Sequence, residues 1–427
     1  MFIFSVYNLI VMQRLLTNGL FLMLFPMVFF GQVVEVNPPD YIKTITFRGN
    51  TNESQLPILR LGEPVVLEFD VLNGEEDDYF YVIEHFNFDW TRTPLVKSEY
   101  LSGFDNQRIR NYQNSFNTYQ LYSHYKLTIP NNQTTALLKS GNYLMSIFDD
   151  SFTLVFSRKF MIYEDLVSVG VDIKRSRDVK AINDKQSVDF VISTNSINFN
   201  NPLETIKTLV VQNNNLNTAI SNLKPQYTLG NQLIYKYTTE SSFWAGNEYL
   251  FFENKDVRAA NVGVQFIELQ DIYHNYLFTN VARADRPYTY NPDINGNFLV
   301  TALDADDVSI EADYTMMHFS LQYPELTDGS AIYVYGNYNN YALDESNKMA
   351  FNPRSNHYEA AFKLKQGFYN YKYVVLDPKA RLNEGAISGN FYQTENNYKV
   401  LVYYRDLGAR YDRLIGLGEG SSINISN

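Results

Sequence analysis

The sequence of 427 residues holds no cysteine, two tryptophans and five histidines. Without cysteine there are no disulfides, no thiolate nucleophile, no thiolate zinc site and no lipid-bearing cysteine near the N-terminus. His85, His124, His274, His318 and His357 never stand at the i, i+4 spacing that sets two imidazoles on one helix face for a metal. Nucleophile-elbow, phosphate-loop and zincin strings are also missing, and "GLGEG" at Gly416 lacks the preceding strand that a dinucleotide loop requires. The chain is therefore expected to be no enzyme and to need no cofactor. A basic excess is lacking too: 35 Lys and Arg stand against 47 Asp and Glu, a formal charge of −12. Such a surface argues against nucleic acid as a partner, because phosphate binding needs a basic stripe.

Long apolar runs are confined to the first 31 residues. There Arg14 precedes an apolar run from Leu20 to Phe30 that Gly31 ends, the order of a secretory signal peptide. Met12 offers an alternative start with the same features. An uncleaved anchor is the other reading, opposed by Pro26 and by the missing positive flank after the run. Cleavage near Gln32 is expected to leave a mature chain with no anchor of its own.

What the chain has in plenty is Tyr (34) and Phe (30), with many Asn and Gly turns, a composition that favours strands. "EPVVLEFDV" alternates Val65, Leu67, Phe69 and Val71 against Glu68 and Asp70, a half-buried strand. Asn73-Gly74 then leads by a tight turn or short loop to "YFYVIEHFNFDW", where Phe80, Val82, Phe86, Phe88 and Trp90 share one parity. The expected class is all-β, three tandem immunoglobulin-like sandwiches after the signal peptide. The expected bounds are 33–165, 166–302 and 303–415, with a flexible tail at 416–427. Asn295-Gly296 is a hairpin signal at the second junction.

Two acidic strings could carry chemistry. "DADD" at Asp304–Asp307 offers oxygen ligands for calcium, but six or more are not spelled out locally, and a solvated turn is the plainer reading. Asp149 and Asp150 in "FDDS" could be paired carboxylates for glycoside hydrolysis, but hairpin turns also use Asp.

In the third unit "AIYVYGNYNNY", "HYEAAFKLKQGFYNYKYVV" and "ENNYKVLVYY" resemble the motif-bearing strands of glycogen-binding modules. The resemblance places Tyr341 where the first sugar-stacking tryptophan would stand, gives no aromatic counterpart near Arg381, and matches Asn396 and Asn397 to the polar end of the site. These three residues are the residual sugar-site candidates, and a carbohydrate-binding β-sandwich protein is the alternative function. Tyr369, Tyr371 and Tyr373 alternate as one face of a packed sheet would.

A second resemblance covers nearly the whole mature chain. "HFNFDW", "SEYLSGFDNQRI", "SFNTYQLYSHYKLTIPN", "LLKSGNYLMSIFDD", "RADRPYTYNPDINGNF" and "IEADYTMMHFSL" look like the plug protein family of the type IX secretion system of Bacteroidetes. It implies a periplasmic protein, peripheral to the outer membrane through its partner alone, that docks as a single copy on the translocon barrel and closes its periplasmic mouth. The candidate docking residues lie in the polar and aromatic loop of the first unit: Tyr100, Phe104, Arg108, Arg110, Tyr112 and Tyr119. The alternative for "SGFDNQRI" is a self-packed corner that holds the fold.

Overall fold

The computed structural model describes residues 32–49, 55–194, 197–423 and 425. The expected signal peptide, residues 1–31, lies outside them. Alternation of apolar residues produces strands throughout, and six sheets combine into three sandwiches, each around its own core. The all-β class is as the composition implies.

In the first sandwich, Ile42–Arg48, Val65–Val71, Ser123–Ile129 and Tyr112–Asn114 form one sheet in that order. The other runs Ile58–Arg60, Leu154–Tyr163, Gly141–Phe148, Phe80–Phe86, Gln107–Arg108. Phe47, Phe69, Tyr125, Tyr143, Phe156 and Phe160 fill the space between, with Phe69 stacked on Tyr125 at 5.2 Å. Val65–Val71 and Phe80–Phe86 fall in different sheets, so Asn73-Gly74 lies in an arch between sheets rather than a hairpin. The shared parity of Phe80 and Val82 is the outward one: Tyr81, Ile83 and His85 carry the inward face of that strand, and of the other parity only Phe86, at its end, is buried. Phe80 is instead covered by Phe152, at 5.3 Å between rings.

The second sandwich departs most from the sequence reading. One sheet contains Ser168–Arg175, Lys185–Ser193, Gln232–Tyr235 and Tyr227–Leu229. The other runs Asn215–Ser221, Ile206–Gln212, Asn397–Tyr404, Arg413–Ser421, so half of it comes from the C-terminal end. Thr208 pairs with Val402, and Tyr398, Val400, Val402 and Ile415 belong to this core. Residues 416–421 are accordingly a strand and not a loose tail. Gly416 and Gly418 lie against the strand Ser168–Arg175, where an added Cβ would come within 2.4 Å of Val167 Cγ2 and 2.6 Å of the Val169 carbonyl oxygen. The glycines of "GLGEG" serve close packing, not flexibility.

The third sandwich is inserted into the second. Gly367–Leu376 is the spine of one sheet and pairs with Leu250–Glu253, Phe298–Val300, Ala331–Tyr335 and Leu382–Asn383. Its partner sheet contains Val264–Leu269, Tyr273–Leu277, Tyr314–Gln322, His357–Lys365 and Ala350–Asn352. This unit thus begins well before residue 303 and ends before 397. Tyr369, Tyr371 and Tyr373 all face its core. Asn295-Gly296 does make a two-residue turn, closed by Asn297 N–H to the Ile294 carbonyl at 3.1 Å, but no strand precedes it.

The acidic strings serve turns. Asp307 accepts a hydrogen bond from Ser309 N–H at 3.0 Å and caps the short helix Val308–Glu311, while Asp149 accepts from Thr153 N–H at 2.8 Å between two hairpin strands. Among the described residues no group of three or more His, Cys, Asp or Glu is placed to hold a metal ion.

Candidate docking surface

The loop of the first sandwich is both a self-packed corner and an exposed surface, residue by residue. A one-turn helix, Lys97–Tyr100, turns Tyr100 inward: it is 6 % exposed, belongs to the core, and its ring lies 5.5 Å from that of His85. Tyr100 therefore does not present itself to a partner. The corner that follows is pinned by Asp105, which accepts from Ile83 N–H at 2.8 Å and from Lys97 Nζ at 2.5 Å. Gly103 has a positive φ of 86°, and a Cβ there would meet the Gln133 carbonyl at 2.0 Å, so the chain turns sharply only because no side chain intervenes. Phe104, held by its own N–H to that same carbonyl, points outward and is 73 % exposed.

Arg108 is exposed but engaged, with Nη2 at 2.5 Å from Asp78. Arg110 is exposed. Tyr112 is half-buried against Tyr125, ring centroids 5.3 Å apart, and its hydroxyl donates to Glu76 at 2.9 Å. That hydrogen bond lowers the pKa of the Glu76 carboxyl, after the one from Asn114. Tyr119 belongs to a different place: Asp313 of the third sandwich accepts its backbone N–H at 2.8 Å, and its ring sits edge-on to Tyr273. Phe104 is tied to Gln133, beyond the C-terminal end of Ser123–Ile129, whereas Tyr119 precedes the N-terminal end of that strand. The six candidates thus resolve into an exposed Phe104 and Arg110, an Arg108 and a Tyr112 engaged with Asp78 and Glu76, a buried Tyr100, and a Tyr119 at the junction with the third sandwich.

Residues that sequence reasoning passed over are Phe116 and Leu121, 67 % and 61 % exposed on either side of Tyr119. Nothing in their strings separates them from core residues, because apolar type alone does not report direction. His274 Nδ1 and His318 Nε2 meet at 2.9 Å across neighbouring strands, a pairing that linear spacing hides.

The sugar-site candidates converge, but inside the protein. Tyr341 is 2 % exposed and donates to the Asn213 carbonyl at 3.0 Å. Asn213 in turn donates to Asn396 Oδ1 at 2.7 Å and accepts from Asn397 N–H at 2.8 Å. The three residues close the seam between the second and third sandwiches, so Tyr341 offers no open ring face for a sugar.

The family described as type 9 secretion system plug protein 1st domain matches residues 42–164, the extent of the first sandwich. A hypothetical protein from Parabacteroides merdae ATCC 43184, known from a crystal structure, shares 33 % identity with this chain, with a TM-score of 0.87 over 92 % of this chain and 100 % of that one. No functionally curated protein matches. The match of the first sandwich supports a role in type IX secretion. The chain belongs to one family with the Parabacteroides merdae protein, and over residues 42–164 it carries the first domain of type 9 secretion system plug proteins.

Proposed function

We propose that this chain is a non-enzymatic periplasmic plug that docks on the periplasmic opening of the type IX outer-membrane translocon barrel and seals it. The observation that carries this reading is the plug-domain match over the first sandwich. The surface supports it: Phe104 is an exposed aromatic anchor on a corner made rigid by Asp105, and Arg110, further along the same loop, is exposed as well. An aromatic anchor with a polar rim suits an interface of moderate size that must also release. Among the described residues no helix is long and apolar enough to cross a membrane.

The test is affinity purification of the barrel from outer-membrane extracts, together with uptake of a large hydrophilic dye. Deletion of the protein should raise uptake while leaving secretion largely intact, because a passive stopper adds no driving force. Phe104→Ala combined with Arg110→Glu should abolish co-elution and reproduce part of the leak with unchanged circular dichroism. Arg108 is the poorer probe, since reversing its charge would set two carboxylates together at Asp78. An impermeable deletion strain with no co-elution would remove the plug reading.

A further inference from the structure

Arg158 is a cation at a core position. On Leu154–Tyr163 the side chains of Phe156, Phe160 and Ile162 enter the core of the first sandwich, and Arg158 shares their parity between the two phenylalanines. It is 3 % exposed. Its Nη1 donates to the Ser157 carbonyl at 2.9 Å, while Nε is buried without a partner. Burial holds the guanidinium below its ordinary pKa, and the charge that acts against this, Glu35, is already engaged by Lys159 N–H and the Asn340 amide. Its guanidinium carbon lies 5.6 Å from the Phe156 ring centroid, and neither that ring nor Glu35, which makes no direct ion pair with it, replaces a contacting anion for a buried charge.

Arg158 lines a cavity of about 620 Å³ between the first and third sandwiches, within the range of about 300–1,000 Å³ of sites that hold small ligands. Its partly exposed apolar lining is Pro38, Pro39, Phe362 and Leu364, backed by Ile42 and Ile45 from the core of the first sandwich and Phe298 from that of the third. Asn339, also on the lining, has neither its amide oxygen nor its amide nitrogen partnered. The acidic side chains of the lining are already engaged: Asp40 faces Lys43, Asp344 accepts from the Asn37 amide, and Glu345 pairs with Lys348. They would still penalise a dianion more than a monoanion.

We propose that this cavity binds a small amphipathic carboxylate, a molecule of the fatty-acid class whose chain lies against Pro38, Pro39, Phe362 and Leu364 and whose carboxylate accepts hydrogen bonds from Arg158. The guanidinium supplies the planar donor fork that a carboxylate matches, and the Asn339 amide supplies a further donor.

Calorimetry on the purified protein with dodecanoate and with dodecanol tests this. Dodecanoate should bind about tenfold or more tighter than the alcohol. Arg158→Met should erase that preference, and Arg158→Lys should keep part of it. Because a core variant could fail to fold, Ala342→Phe, at the cavity lining, provides the second test and should abolish dodecanoate binding. Equal affinity for acid and alcohol, no binding of dodecanoate by the unaltered protein, or binding that survives Ala342→Phe would each overturn the proposal.

Discussion

Asp70 of the first sandwich and Lys365 of the third form an ion pair at 2.7 Å, with both side chains 1 % exposed. Burial alone would raise the Asp70 pKa, but Lys365 and His124 reverse the direction and hold it low. Tyr314 donates to the same carboxylate at 2.7 Å, and the Lys365 ammonium lies 4.1 Å from the Tyr122 ring centroid.

Lys365→Met should therefore cost roughly 3–5 kcal/mol, because it strands a buried carboxylate rather than because the pair itself is strongly stabilising. Asp70→Asn in the same background should recover part of the loss. Urea unfolding of the single and double variants checks both statements.

His85 makes the fold sensitive to acid. Its Nε2 donates to the Ser140 carbonyl at 3.1 Å, leaving Nδ1 to face Thr93 as an acceptor, and burial pushes its pKa down to about 4. The unfolded chain takes up this proton near pH 6.5 and the folded chain only near pH 4, so stability is full above 6.5 and falls as pH drops between those values. The expected loss is roughly 3 kcal/mol. His85→Gln should flatten this part of the profile in denaturant titrations at pH 4–7.

Asp293 acts in the opposite sense. Burial, then the neighbouring Glu248 and Glu395, push its pKa up to about 7, against the hydrogen bonds it accepts from Asn295 and Tyr249 N–H. The folded chain holds this proton to higher pH than the unfolded chain, whose Asp titrates near 3.8. The stabilisation is thus present below that value and is lost as pH rises to about 7. A carboxyl carbon titrating near pH 7 by NMR, absent in Asp293→Asn, is the expected signature.

Truncation after Asp412 should unfold the second sandwich, since Leu414 and Ile415 are fully buried and the strand they open completes its sheet. The point test is Gly418→Val, whose side chain has no space beside Val169 and should cost about 1–3 kcal/mol. Limited proteolysis would show new cleavage in residues 168–235 for the truncation.

Local patterns in the sequence were readable where local physics decides the outcome. Val65–Val71 and the alternating tyrosines at 369, 371 and 373 form strands because period-two alternation fits a pleated sheet, but the expected half-buried strand is covered on both faces: Asp70 is buried opposite the apolar face of the first, and Asn370 and Lys372 opposite the tyrosines of the second. The inward parity of Phe80–Phe86 was not readable, because both of its faces carry aromatic or aliphatic side chains and Phe152 covers the outer one. Nor was the insertion: the pairing of Thr208 with Val402 depends on partners remote in sequence and leaves no local trace. At the candidate surface, "SEYLSGFDNQRI" reveals its residue types but not that Tyr100 turns inward while Phe104 turns out. That difference is made by Gly103 and Asp105.

The chain leaves and re-enters the second sandwich at almost one point. Gly246 N–H donates to the Asn390 side chain and its carbonyl accepts from Thr394, while Asn396 donates to the Ala245 carbonyl. As the chain emerges N-terminus first, then, the second sandwich is the last to close. Its strands between Ser168 and Trp244 emerge early but must wait, with one face uncovered, until the whole inserted unit and the strand Asn397–Tyr404 have followed. The first and third sandwiches have all their strands in hand by then, so nascent chains stalled before residue 397 are the ones a chaperone would need to hold.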